Sequence, residues 1–421
     1  MNVSQTGKQI WLLKHAALLF QRANHFYVIA MPASKHILPI IVFSQFCCTS
    51  LWFAGNAVMS SLVSDFHLPV STLGHLTSAI QLGFICGTLC FALLSISDRF
   101  SPSKVFLASS IIAALANLAM ALPSQQLETF FATRFIVGFF LAGIYPVGMK
   151  IAADYFEHGL GRSLGWLVGA LVLGTALPHL IKAVGGQLSW HSVFYFTSSL
   201  ALLGGALIAW KVPDGPFRKT ANRLEPRAIL KVFADQKLRS AAFGYFGHMW
   251  EVYAFWAFVP FAVSAYQQLH NNHVNTAILS FFIIGVGAPA SAVAGHLAGK
   301  SGAKKIAGIA LFSSGICCLL SPLAFSFAPS YLFIPFLLFW GMAAVADSAL
   351  FSSLVAQNAG AETKGTALTT VTCIGFAITI ISIQLLDLLS GRINPAYIFL
   401  ALAPGPFLGL LALFRNKKAV A

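Results

Sequence analysis

Ionisable side chains stand inside apolar runs of this sequence, among them Arg134, His248, Glu251 and Asp347. An ionised group at the centre of a membrane helix costs at least ~2.5 to 3.5 kcal/mol on insertion scales, so such groups usually face a cavity or a partner. Glu251 lies ten residues past Ala241, where its apolar run begins. At ~1.5 Å per helical residue that is ~15 Å of travel, close to the midplane of a ~30 Å hydrocarbon core. His248 precedes it by three residues and shares its helix face. The chemistry open to this pair is uptake and release of a proton, and the plainer alternative is a buried hydrogen bond between the two. Arg134 offers an anion-binding guanidinium or a partner that tunes a carboxylate, with a structural bridge to helix backbone as its plain reading. Gln45, Thr49, Trp52 and Asn56 recur at spacings of 4, 3 and 4. On one uninterrupted helix they share a face, which would line a polar cavity or hold two helices together.

The elements that carry these residues follow from composition. Only 9% of the 421 residues are charged, 57% are hydrophobic and 13% are aromatic, whereas a soluble domain carries roughly a quarter charged residues. Leu311 to Ala328 is apolar on every face, which excludes the alternation of a membrane β-barrel. The expected class is therefore an all-α integral membrane protein. Apolar runs of spanning length recur twelve times, six on each side of the hydrophilic stretch Lys211 to Arg239.

The basic residues report on sidedness. Of 26 Lys and Arg, 23 fall on the side of the termini and this stretch, 2 on the opposite side, and Arg134 lies within a run. That split places both termini and the linker in the cytoplasm, and it accounts for the net charge of +14 without nucleic acid. The expected organisation is a basic extension over 1–35, a first six-helix bundle over 36–210, a linker over 211–240, a second bundle over 241–414 and a tail over 415–421. The extension is open to two further readings: a signal peptide, or an over-long start ahead of Met31. All seven cysteines lie in apolar runs and read as packing residues rather than disulfides or metal ligands. No metal site and no cofactor is expected, since Gly295 to Ser301 falls one residue short of a phosphate loop and follows no strand.

The two halves repeat. Leu51-Trp52-Phe53 corresponds to Met249-Trp250-Glu251, Asp98-Arg99 to Gly299-Lys300, Gly138 to Gly341 and Gly174 to Gly375, at offsets of 198 to 203. A near-constant offset points to two parallel six-helix bundles. Asp347 answers to Ile144 and so departs from the repeat, which makes it a candidate for a gate pair with Lys150. The loop Ser97 to Lys104, with Asp98, Arg99 and Lys104, resembles the G-x-x-x-D-R-x-G-R-R/K loop of the major facilitator superfamily, and Arg134 to Gly143 is similar to its R-x-x-x-G-x-x-x-x-G pattern. Leu94 and Ser101 stand where that loop has glycines.

The resemblance implies a secondary transporter in a plasma (inner) membrane, acting as a monomer on a small-molecule substrate by alternating access. Asp98, Arg99, Lys104, Lys150 and Lys300 would then sit at the cytoplasmic gate. Glu251 and Arg134 point to proton-coupled uptake of a small polar or anionic solute. The alternatives are efflux of amphipathic compounds, and a membrane receptor or passive channel. H-E-x-x-H does not occur in the sequence, and no enzymatic activity is expected.

Overall fold

The computed structural model describes residues 36–415 apart from 70, 123–125, 157–159, 187, 219–232, 272 and 361–362. The basic extension 1–35, the middle of the linker and most of the tail thus lie outside the described residues. No strand occurs among the described residues.

The helices form the twelve spans. The first consists of Ile37–Thr49, Ala54–Ala57 and Met59–Asp65; Thr72–Leu93 is the second and Pro102–Ala119 the third. The fourth is Leu127–Leu141 with Tyr145–Tyr155, the fifth Leu160–Val184 and the sixth His191–Lys211. In the second half the spans are Gln236–His270, then Thr276–Gly285 with Gly287–Ser301, then Ala303–Phe327. Ser330–Ala346 with Ser348–Asn358 is the tenth, Lys364–Ser390 the eleventh, and a 3-10 segment Pro395–Leu402 leading into Pro404–Phe414 the twelfth. Ten of these are long and apolar enough to cross a bilayer. The first is broken into short pieces, and the seventh is diluted by His248, Glu251 and its tryptophans and tyrosines.

Where the sequence reads as one continuous helix, four spans are interrupted, and three of the breaks have a local cause. At the first, Thr49 and Ser50 return their hydroxyls to the carbonyls of Gln45 and Cys47, a bonding mode that bends helices. Pro146 opens the second half of the fourth span, and Pro289 denies the Gly285 carbonyl its amide in the eighth. The tenth breaks at Asp347, one repeat after the fourth breaks near Ile144.

The repeat is physical as well as numerical. A Cβ built on Gly138 would lie 2.0 Å from the Ile80 carbonyl oxygen, and one on Gly341 would lie 2.0 Å from that of Ile283. Ile80 and Ile283 are themselves repeat equivalents, so each half seats its second helix directly on the backbone of its fourth, as small residues allow in membranes. Between halves, the second span packs on the eleventh and the fifth on the eighth.

Candidate functional site

The break in the first span is held open from outside. Arg134, fully buried, donates Nη1 to the Leu51 carbonyl at 3.1 Å and Nη2 to the Trp52 carbonyl. These carbonyls have lost their helical partners, and a planar fork suits the satisfaction of two acceptors at once. Arg134 makes no ion pair among the described residues. Its plain reading, a bridge to helix backbone, is the arrangement present, and the guanidinium contacts no carboxylate among the described residues.

With the backbone so turned, Trp52 projects between the halves. Its ring lies 4.9 Å from Phe84 of the second span, 5.6 Å from Tyr253 of the seventh and 5.7 Å from Phe376 of the eleventh. Phe53 meets Trp256 edge-on at 6.3 Å. This layer of rings from both halves closes the centre of the molecule, and Trp52 is 0% exposed.

The other polar residues of the first span do not share a face with Trp52. Asn56 donates to Thr77 of the second span at 2.8 Å. Thr49 turns to the fifth span, reaching the Ala170 carbonyl at 3.4 Å. Gln45 is buried against Gly148 of the fourth, where an added Cβ would lie 2.2 Å from its Oε1. The expected single face fails because the helix that would carry it ends at Thr49.

Glu251 points away from the ring layer into the second bundle. Its Oε1 accepts from Trp340 Nε1 at 2.6 Å and stands 3.5 Å from Cys318 Sγ, and its Oε2 accepts from Ser314 Oγ at 2.7 Å. Every donor is neutral. The plainer alternative, a bond between Glu251 and His248, gives way to a different pairing: His248 Nδ1 lies 2.8 Å from Asp347 Oδ1, both side chains almost wholly buried. Trp340 and Asp347 are seven residues apart on the tenth span. The seventh span therefore meets the tenth through two rungs, Glu251 with Trp340 and His248 with Asp347.

Asp347 is thus not the partner of Lys150. Lys150 pairs with Asp98 at 2.8 Å and Asp154 at 3.6 Å, all within the first half. Arg99, Lys104 and Lys300 are exposed and make no ion pair among the described residues, so the expected charge pairs between bundles are absent there. The start of the linker is fastened to the same corner. Arg218 reaches the carbonyls of Asp98 and Phe100 at 3.0 and 2.7 Å, and Tyr155 donates to the Pro213 carbonyl at 2.6 Å.

Reasoning from the sequence passed over Trp340, Tyr253 and Phe376, which carry no signal that separates them from packing aromatics. It also passed over Asp387, an acid within an apolar run and so visible by the criterion that found Glu251.

Comparison with known proteins accords with this geometry. The profile of the Major Facilitator Superfamily matches residues 41–383. The uncharacterized transporter YgaY of Escherichia coli O157:H7 is 25% identical over 248 residues, 54% of this chain and 60% of that protein. The bicyclomycin resistance protein homolog of Haemophilus influenzae is 24% identical over 171 residues, 39% of this chain and 41% of its own. The chain thus spans less than two thirds of the length of these relatives. Among solved structures, a D-xylose-proton symporter superposes with a TM-score of 0.73 at 14% identity, covering 91% of this chain and 98% of its own. The human organic anion transporter MFSD10 gives 0.69 at 16% identity, covering 91% and 100%. By profile, by twelve spans in two bundles and by this likeness of fold, the chain belongs to the Major Facilitator Superfamily, whose members are membrane transporters and not enzymes.

Proposed function

We propose that this chain is a secondary active transporter that couples uptake of a small polar solute to protons, with Glu251 as the proton-binding group. The observation that carries the reading is the environment of Glu251: 1% exposed, bonded by Trp340, Ser314 and Cys318, and by no cation among the described residues. A cation in contact would hold a carboxylate ionised, whereas neutral donors are compatible with both protonation states. A proton arriving at Oε1 removes the charge that the Trp340 indole N–H serves, and so loosens one of the two rungs between the seventh and tenth spans. The Trp52 layer, shared by both halves, separates as the bundles rock and exposes ring faces to a solute. Because Arg134 is committed to the Leu51 and Trp52 carbonyls, the preference for an anionic solute loses its ground. The protein acts as a monomer in the lipid bilayer of a plasma (inner) membrane, with linker and termini cytoplasmic, a sidedness that the Lys and Arg distribution supports.

Export of an amphipathic compound is the second reading, favoured by the aromatic layer and by the relative named for bicyclomycin resistance. A thermal-shift screen of purified protein against neutral metabolites, organic acids and lipophilic cations, on both sides of neutral pH, finds ligands through their stabilisation of the folded state. In proteoliposomes loaded with a hit, Glu251→Gln is expected to abolish accumulation driven by a proton gradient while leaving solute exchange intact. Gradient-driven accumulation with unchanged pH dependence in Glu251→Gln refutes the coupling role. Hits among lipophilic cations alone favour export.

A further inference from the structure

On the face of the molecule away from the linker, the second span begins without a cap of its own. Its N-cap residue Ser71 makes no side-chain bond to the helix, and the first amides of any helix lack partners within it. One of those amides belongs to Gly74, three residues in. Asp387, in the last turn of the eleventh span, stands against it: a Cβ built on Gly74 would lie 2.7 Å from both Cβ and Cγ of Asp387 and 2.9 Å from its Oδ1, so the carboxylate stands beside the Gly74 backbone. One turn further along each helix, Gln384 Nε2 donates to Ser78 Oγ at 2.8 Å. The two helices run antiparallel, so 74 meets 387 and 78 meets 384 in register. A carboxylate at a helix N-terminus is favoured by the peptide dipoles, and here the carboxylate comes from the other half of the protein.

We propose that Asp387 and Gln384 form an interbundle latch that holds the two halves together at the face away from the linker by capping the second span. The arrangement is one-sided. On the linker face the ion pairs of Asp98, Lys150 and Asp154 stay within the first half, whereas among the described residues the latch is a polar contact between the halves that must break when the far face opens. Gly74 is part of the device, because any larger residue drives into Asp387. The proposal concerns which state the bundles occupy and does not depend on Glu251 carrying the proton.

The test uses the full chain in nanodiscs with spin labels at Glu128→Cys and Arg392→Cys, which sit on the far face of the first and second halves, in a background from which reactive native cysteines are removed. Distances are read by pulsed electron resonance. Wild-type protein is expected to give mainly the short, closed distance. Asp387→Ala and Gly74→Val are each expected to lower the closed-to-open ratio at least about tenfold, the worth of one hydrogen bond to a charged group. In the double variant the effects should be less than additive, because the valine then meets alanine. Unchanged distance distributions in Asp387→Ala and Gly74→Val, in protein that melts as wild type does, overturn the latch. Should either fail to fold, Gln384→Ala and Ser78→Ala decide: they remove only the second bond, and an unmoved ratio in both also overturns it.

Discussion

Replacing Arg134 tests whether this buried cation serves the backbone or a solute. In the structure its guanidinium satisfies two carbonyls, those of Leu51 and Trp52, at the break of the first span. Arg134→Met strands both acceptors, at about 1–3 kcal/mol each, and recovers part of that by removing a charge that was costly to bury. The net expectation is a loss of about 2–4 kcal/mol. Arg134→Lys keeps the charge but replaces a planar fork by one ammonium on a flexible stem, which cannot serve both carbonyls in the same geometry. It retains the burial cost and forfeits a bond, so lysine should be tolerated no better than methionine. The assay is thermal unfolding of detergent-purified protein at one fixed scan rate, with ligand affinity measured in parallel. Both variants should melt several degrees below wild type and bind ligand more weakly, since Trp52 depends on that backbone. A lysine variant that melts close to wild type while methionine collapses would show that charge rather than geometry is needed. That result would refute the reasoning and return Arg134 to the role of anion ligand.

Two further perturbations follow from the packing. Gly341→Ala and Gly138→Ala each place a Cβ 2.0 Å from a carbonyl oxygen of a facing helix. Each should cost roughly 1–3 kcal/mol as an overpacked contact, by similar amounts because the sites are repeat equivalents; a neutral effect in thermal unfolding would deny that the helices touch there. At the His248–Asp347 pair, Asp347→Ala should cost about 3–5 kcal/mol, while Asp347→Asn, which can still accept from His248 Nδ1, should cost clearly less. Equal losses on melting would show that opposite charges, rather than a hydrogen bond, join the seventh and tenth spans.

The residues that misled the sequence reading share a cause. Gln45, Thr49, Trp52 and Asn56 have helical spacing, and they scatter because the helix ends at Thr49 and Arg134, 83 residues from Leu51, holds the break open. His248 and Glu251 are neighbours on one face, yet each pairs with a residue of the tenth span, at Asp347 and Trp340. Lys150 has an acid one turn away in Asp154 and another in Asp98, so it had no need of Asp347. In each case a near partner read along the chain lost to one brought close by helix packing.

What the chain determined by itself are quantities that depend on composition and order: the number of spans, the excess of Lys and Arg in alternate loops, the repeat, and which acids and bases stand in apolar surroundings. Transfer of a segment into a hydrocarbon slab depends on that segment's own residues, so these features are written locally. Tertiary structure alone decided that Arg134 caps a broken helix, that Glu251 faces three neutral donors, and that Asp387 caps a helix of the other half. Those pairings cross 63 to 313 residues of sequence. They are set by helix rotation and by breaks a few residues long, and a shift of one residue turns a side chain about 100° away from its partner.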